Sequence, residues 1–164
     1  MTEDSTPGTG GCACGHVRYR LTAAPMVTHC CHCSRCQRET GSAFAVNALI
    51  ETSAVEILAG VPDLILTPSA SGKGQKIARC PDCHVAVWSH YPNADTLVAF
   101  IRAGTLDDKT TIRPDVHIYT STKAPWLEIT DGKPVFEEYY PSPAGVWPED
   151  GLARWRAVIA SRGA

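Results

Sequence analysis

Eight cysteines gathered into three clusters constrain this chain more than any other feature of its sequence. The clusters are Cys12-Ala-Cys14, Cys30-Cys31-His-Cys33-Ser-Arg-Cys36 and Cys80-Pro-Asp-Cys83. The opening segment, MTEDSTPGTGG, has no basic stretch and no apolar run, so it does not read as a secretory signal. The expected compartment is therefore the cytoplasm, where thiols stay reduced and a disulfide framework is a poor account of eight cysteines. Metal binding is the better one.

Zinc takes four thiolates or imidazoles in a tetrahedron, and structural sites fill all four positions. Cys80 and Cys83 form a knuckle, with Pro81 fixing one backbone angle of its turn, and supply half a site. Cys12 and Cys14 are two further ligands without close neighbours of their own kind. The middle cluster can place three thiolates, from Cys31, Cys33 and Cys36, on one ion locally. The economical partition is a closed site from Cys12, Cys14, Cys80 and Cys83 and a separate three-thiolate site. Three protein ligands leave a position open, the mark of a catalytic ion. The purely structural alternative closes the middle site with His29, His32 or a distant histidine. Cys30 is left over, as a small buried apolar residue or as a competing thiolate beside Cys31.

Around these clusters the chain reads as one mostly β domain. Val17, Tyr19 and Leu21 alternate with His16, Arg18 and Arg20, the period of a half-buried strand. Further strands are expected at 43–50, around Val55 and Ile57, and at 64–67, 85–90, 96–102 and 116–120. Residues 34–40 are expected to form a short helix capped by Ser34 and ended by Gly41. Leu152, Trp155, Val158 and Ile159 recur at helical spacing, so an amphipathic helix is expected over 149–162. The domain reading is a mobile tail over 1–10, a zinc-binding β domain over 11–140, and an irregular linker and helix over 141–164. Trp88 and Trp126 are expected in the core, and His117 in a structural role.

Charge narrows the partners. The 164 residues carry a formal net charge of -2, and lysines and arginines are scattered rather than striped, which argues against nucleic acid. No apolar run reaches the ~18 residues of a membrane span. The segment Gly72-Lys-Gly74 lacks the Lys-Ser/Thr of a phosphate loop. Arg35, Arg38 and Arg102 are candidates for holding substrate carboxylates, with a solvated surface as their plainer role.

The motifs GGCACGHVRYRL, CHCSRCQRETGSAF and CPDCH, in this order from about Gly11 to Trp126, resemble the glutathione-dependent formaldehyde-activating enzyme family, which includes centromere protein V. The resemblance implies a β-tent fold similar to that of Mss4-like proteins. It also implies a structural zinc on the first and third clusters, Cys12, Cys14, Cys80 and Cys83, and a catalytic zinc on Cys31, Cys33 and Cys36. The implied function is carbon–sulfur bond formation or cleavage between a small thiol such as glutathione and a small aldehyde such as formaldehyde, as in S-(hydroxymethyl)glutathione synthase. The soft three-thiolate set suits a sulfur as fourth ligand. The rival reading is a non-enzymatic zinc module with both sites closed, binding a protein partner. A zinc-containing methionine sulfoxide reductase needs a reactive cysteine late in the chain, and none follows Cys83. One departure stands out: the third motif of the family commonly has glycine where this chain has His84, at a position suited to left-handed backbone.

Overall fold

The computed structural model describes residues 8–163. The chain begins with strands β1 (Gly8–Gly11), β2 (Arg18–Leu21) and β3 (Val27–Cys31), then helix α1 (Ser34–Thr40). Strands β4 (Ala45–Glu51), β5 (Val55–Ala59), β6 (Asp63–Thr67), β7 (Gln75–Arg79), β8 (Ala86–His90), β9 (Val98–Arg102) and β10 (Val116–Ile118) follow, and helix α2 (Glu149–Ser161) closes it.

The strands form two sheets. A three-stranded sheet has the order β1-β2-β5, and a seven-stranded sheet the order β10-β3-β4-β9-β8-β7-β6. Pairing is antiparallel except between β10 and β3, which run parallel. Successive side chains of a strand point to opposite faces, so the large sheet carries two cores. On one face Ala48, Ile50, Trp88, Ala99 and Ile101 pack under Tyr19 and Leu21 from the small sheet and Val17 just before it. Tyr19 anchors this layer by meeting Trp88 edge-on and by a 2.7 Å hydrogen bond to the Thr105 hydroxyl. On the other face Val27, Cys31, Leu49, Val98, Val116 and Ile118 are covered by Tyr140, Trp147 and Leu152.

The C-terminal segment is thus part of the second core. A Cβ at Gly151 would lie 1.9 Å from the Met26 carbonyl oxygen, so glycine there lets α2 press directly onto the backbone before β3. Arg154 holds the same contact from the side, with an ion pair to Glu51 and a 2.8 Å bond to the Ala24 carbonyl.

The mostly β reading with a C-terminal helix holds. Every expected strand is present, its ends moved by at most two residues, which is ordinary for element boundaries. Three strands lacked a readable signal. β1 is GTGG and has almost no side chains to alternate, β3 is buried at every position, and β7 is short and mixed. Helix α1 lies where expected, but its N-cap is Cys33 rather than Ser34. Trp88 is in the core, whereas Trp126 is 74% exposed. Trp126 follows Pro125 in the irregular segment after β10, outside both sheets, so its hydrophobicity does not bring it inside. β1 starts at Gly8, within the stretch expected as a tail, and residues 1–7 lie outside the described residues.

Candidate metal centres

Cys12, Cys14, Cys80 and Cys83 come together although 66 residues separate the two pairs at Cys14 and Cys80. Their sulfurs stand at the spacing of a zinc shell. Zn–S bonds of ~2.3 Å in a tetrahedron put neighbouring sulfurs ~3.8 Å apart. The Cys12–Cys14 and Cys14–Cys80 sulfurs are 3.6 and 3.7 Å apart. The two halves are built alike. Cys12 N–H bonds to the Val17 carbonyl at 3.1 Å, and Cys80 N–H to the Val85 carbonyl at 3.1 Å. In each half the residue after the second cysteine takes a left-handed backbone, Gly15 at φ 82° and His84 at φ 62°. The knuckle therefore keeps its left-handed turn without glycine, at a steric cost to His84.

Cys31, Cys33 and Cys36 form the second group. Cys31 ends β3, and Cys33 and Cys36 flank the first turn of α1. The Cys33 sulfur accepts the Cys36 N–H at 3.3 Å and so caps the helix. Among the described residues no histidine or carboxylate completes this group, and His29 is held elsewhere by a 2.9 Å bond to the Tyr140 hydroxyl.

Protonation points the same way at both groups. Hydrogen bonds from the Cys31 and Cys36 thiols draw the Cys33 thiol down to about 2, while Cys33, Cys36 and burial push Cys31 far above the ordinary range. In the other group, backbone N–H bonds from Val85 and Cys14 bring Cys83 down to about 6. In each group some thiols are drawn down and others pushed up, Cys12 and Cys83 against Cys14, and Cys33 against Cys31 and Cys36, because like charges crowd one space. A divalent cation lets the rest deprotonate, so both donor sets fit zinc.

Residues 7–122 match the family of glutathione-dependent formaldehyde-activating enzymes. The chain belongs to that family. A Halomonas elongata protein named "Putative glutathione-dependent formaldehyde-activating enzyme" is 27% identical over 155 residues, covering 92% of this chain and 94% of its own. A protein of the same name from Emericella nidulans is 32% identical over 79 residues, 47% of this chain and 38% of its own. A crystal structure of a Rhodobacter sphaeroides protein superposes with a TM-score of 0.47 and 18% identity, covering 78% of this chain and 98% of that one. Membership carries the β-tent reading and formaldehyde activation with glutathione as the coarse description of function. No helix among the described residues is long and apolar enough to cross a membrane.

In this member of the family a buried guanidinium shares the sheet face of Cys31. Arg102 on β9 is cross-strand from Asn47, two residues along β4 from Ala45, the partner of Cys31. It donates to the Asn47 side chain and to the Ser89 hydroxyl, and its Nε has no partner. No carboxylate pairs with it among the described residues. Arg102 also lines a cleft of about 450 Å³ with Phe44, Ala45, Arg79, His84 and Thr105. Arg35 and Arg38, the other two candidates, lie exposed on α1.

The structure separates Cys30 from its neighbour. Alternation along β3 turns Cys30 and Cys31 to opposite faces, so Cys30 does not compete for an ion held by the trio. Burial pushes the Cys30 thiol up to about 12.

Proposed function

We propose that this protein is a zinc-dependent carbon–sulfur lyase of the S-(hydroxymethyl)glutathione synthase type, joining a thiol such as glutathione to a small aldehyde such as formaldehyde. In this reading Cys12, Cys14, Cys80 and Cys83 hold a structural ion, and Cys31, Cys33 and Cys36 hold a second ion at the reacting centre. The observation that carries it is the trio: three thiols at one point with no fourth protein ligand among the described residues. Zinc bound there would supply a soft Lewis acid that favours an added thiol as thiolate.

The chain's own groups do the remainder. Three thiolates offset the charge of a divalent cation, so the site takes up another sulfur without demanding a hard oxygen ligand. Arg102, buried on the same face and without an acidic partner, holds a carboxylate of the thiol substrate and fixes its direction. The cleft beside it admits the substrate from the side of Phe44 and Thr105. In the forward reaction the substrate sulfur attacks the aldehyde carbon, the C–S bond forms, and the carbonyl oxygen takes the proton that the thiol gave up.

Exchange spectroscopy on mixtures of glutathione and formaldehyde tests this. The protein should speed hemithioacetal formation over the uncatalysed reaction, and Cys33→Ser should remove the acceleration while leaving the chain folded. No acceleration, together with a metal spectrum indifferent to added thiol, would favour the closed zinc module instead.

A further inference from the structure

We propose that Cys30, His32 and His117 form a third metal site, for a divalent cation of the zinc class, on the sheet face opposite Cys31. The parallel pairing of β10 with β3 puts His117 beside Cys30, and His32 lies two residues beyond Cys30 on the same side of the extended chain. One ligand atom from each of the three lies within 4.8 Å of the other two. All three residues are buried. The set is distinct from the trio, since its thiol points through the other face of β3.

Hydrogen bonding leaves this cluster incomplete. His117 Nε2 lies 2.8 Å from Asp131 Oδ2, and a carboxylate can only accept, so that nitrogen carries the proton. His117 Nδ1 is then a lone pair, 3.0 Å from His32 Nε2. His32 Nε2 must donate to it, which makes His32 Nδ1 a second lone pair, and that atom is buried with no partner. A cation between the two rings would take the lone pair of His117 Nδ1 and, once the His32 proton sits on Nδ1, that of His32 Nε2. It accepts lone pairs from ring nitrogens, and a thiolate supplies the compensating charge.

The ring spacing agrees. Two imidazole nitrogens bound to one zinc at ~2.0–2.1 Å stand ~3.3 Å apart, so the 3.0 Å pair needs only a slight parting. Asp131 completes a carboxylate–histidine–metal arrangement, the usual way to fix the ring of a ligating histidine. With one thiolate instead of three or four, this site should be the weakest of the three.

The test uses the full-length protein with its zinc retained, titrated with cobalt(II) under reducing conditions. Retained zinc plus bound cobalt should total about three ions per chain. The last ion should bring a thiolate-to-cobalt band of one-sulfur strength. Cys30→Ala and His117→Gln should each lower the total by about one ion, leaving thiol binding at the trio intact, whereas Cys33→Ser should remove a different ion. A wild-type total that stops at about two overturns the proposal, as does a third ion that survives both Cys30→Ala and His117→Gln. Wild-type stoichiometry decides the matter even if a variant folds poorly.

Discussion

The two cysteine groups named by the sequence are built in opposite ways. One joins knuckles from the two ends of the first 83 residues, before β2 and after β7, whose first cysteines, Cys12 and Cys80, also share the core between the sheets. The other is local: Cys31, Cys33 and Cys36 sit within six residues, on the end of a central strand and the first turn of a helix. Closing a long loop costs chain entropy, which the ion helps to return alongside the core packing of Cys12 and Cys80. A local trio asks for little, and its scaffold stands without it. A site that holds distant segments together is suited to folding, while a site mounted on finished elements can leave a position free for chemistry.

Replacing one ligand in each group should expose that contrast. Structural zinc contributes ~10–16 kcal/mol in small peptides, against ~5–15 for whole domains. Cys80→Ser is therefore expected to unfold or aggregate the protein, the largest effect of any change proposed here, read by circular dichroism and metal content. Cys33→Ser should lose one ion and stay folded, with a melting temperature close to the parent's. Equal melting for both variants breaks the distinction.

The sequence carried the cysteine groups better than the strands that present them. The three clusters are dense and ordered, so Cys12, Cys14, Cys80 and Cys83 could be paired by counting. The strand that carries Cys31 could not be read, because β3 is buried on both faces and shows no alternation. That gap hid the role of Cys30: only the strand period shows that two adjacent cysteines face different cores. It also hid the company of His117, since the parallel β10–β3 pairing joins residues 87 positions apart, Cys30 and His117. Arg102 was one of three arginines with equal claims, and its burial without an acidic partner is a property of packing alone. Trp126 misled because bulk and hydrophobicity do not say whether a segment runs under a sheet or over it.

Arg102 tests the open side of the contrast. A hydrogen bond to a charged group is worth ~1.5–3 kcal/mol. Arg102→Met should therefore raise KM for a carboxylated thiol ~10–100-fold at this range of energies, with kcat changed far less. A thiol without carboxylates should show no such loss. If both thiols suffer alike, Arg102 supports the fold rather than the substrate.

A smaller effect comes from acid on the sheet that carries both groups. His90 is buried on β8, its Nδ1 bound to the Val98 carbonyl at 2.8 Å, so its Nε2 accepts from the Trp88 indole. Burial lowers its proton affinity below the ordinary 6.5. The folded-state value is depressed, so the unfolded chain protonates first as pH falls. Stability from this group is complete above about 6.5 and declines below it. Urea midpoints at a series of pH values should fall less steeply for His90→Gln than for the parent. Parallel slopes would assign the acid sensitivity to the thiolate sites alone.

The smallest change sharpens the likeness between the two knuckles of the four-cysteine group. Gly15 and His84 occupy equivalent turns, both left-handed, yet only one is glycine. An L residue pays roughly 1–2 kcal/mol there, and glycine gives back ~0.5–1 through the freedom it has when unfolded. His84→Gly should thus stabilise the protein by about 0.5–1 kcal/mol, since His84 is exposed and gives up little packing. Gly15→Ala should act in the opposite direction, although open space surrounds that position. Melting temperatures of the two variants at fixed zinc would check the pair. If His84→Gly destabilises instead, the imidazole contributes at the mouth of the cleft it lines, and the two knuckles are alike in backbone only.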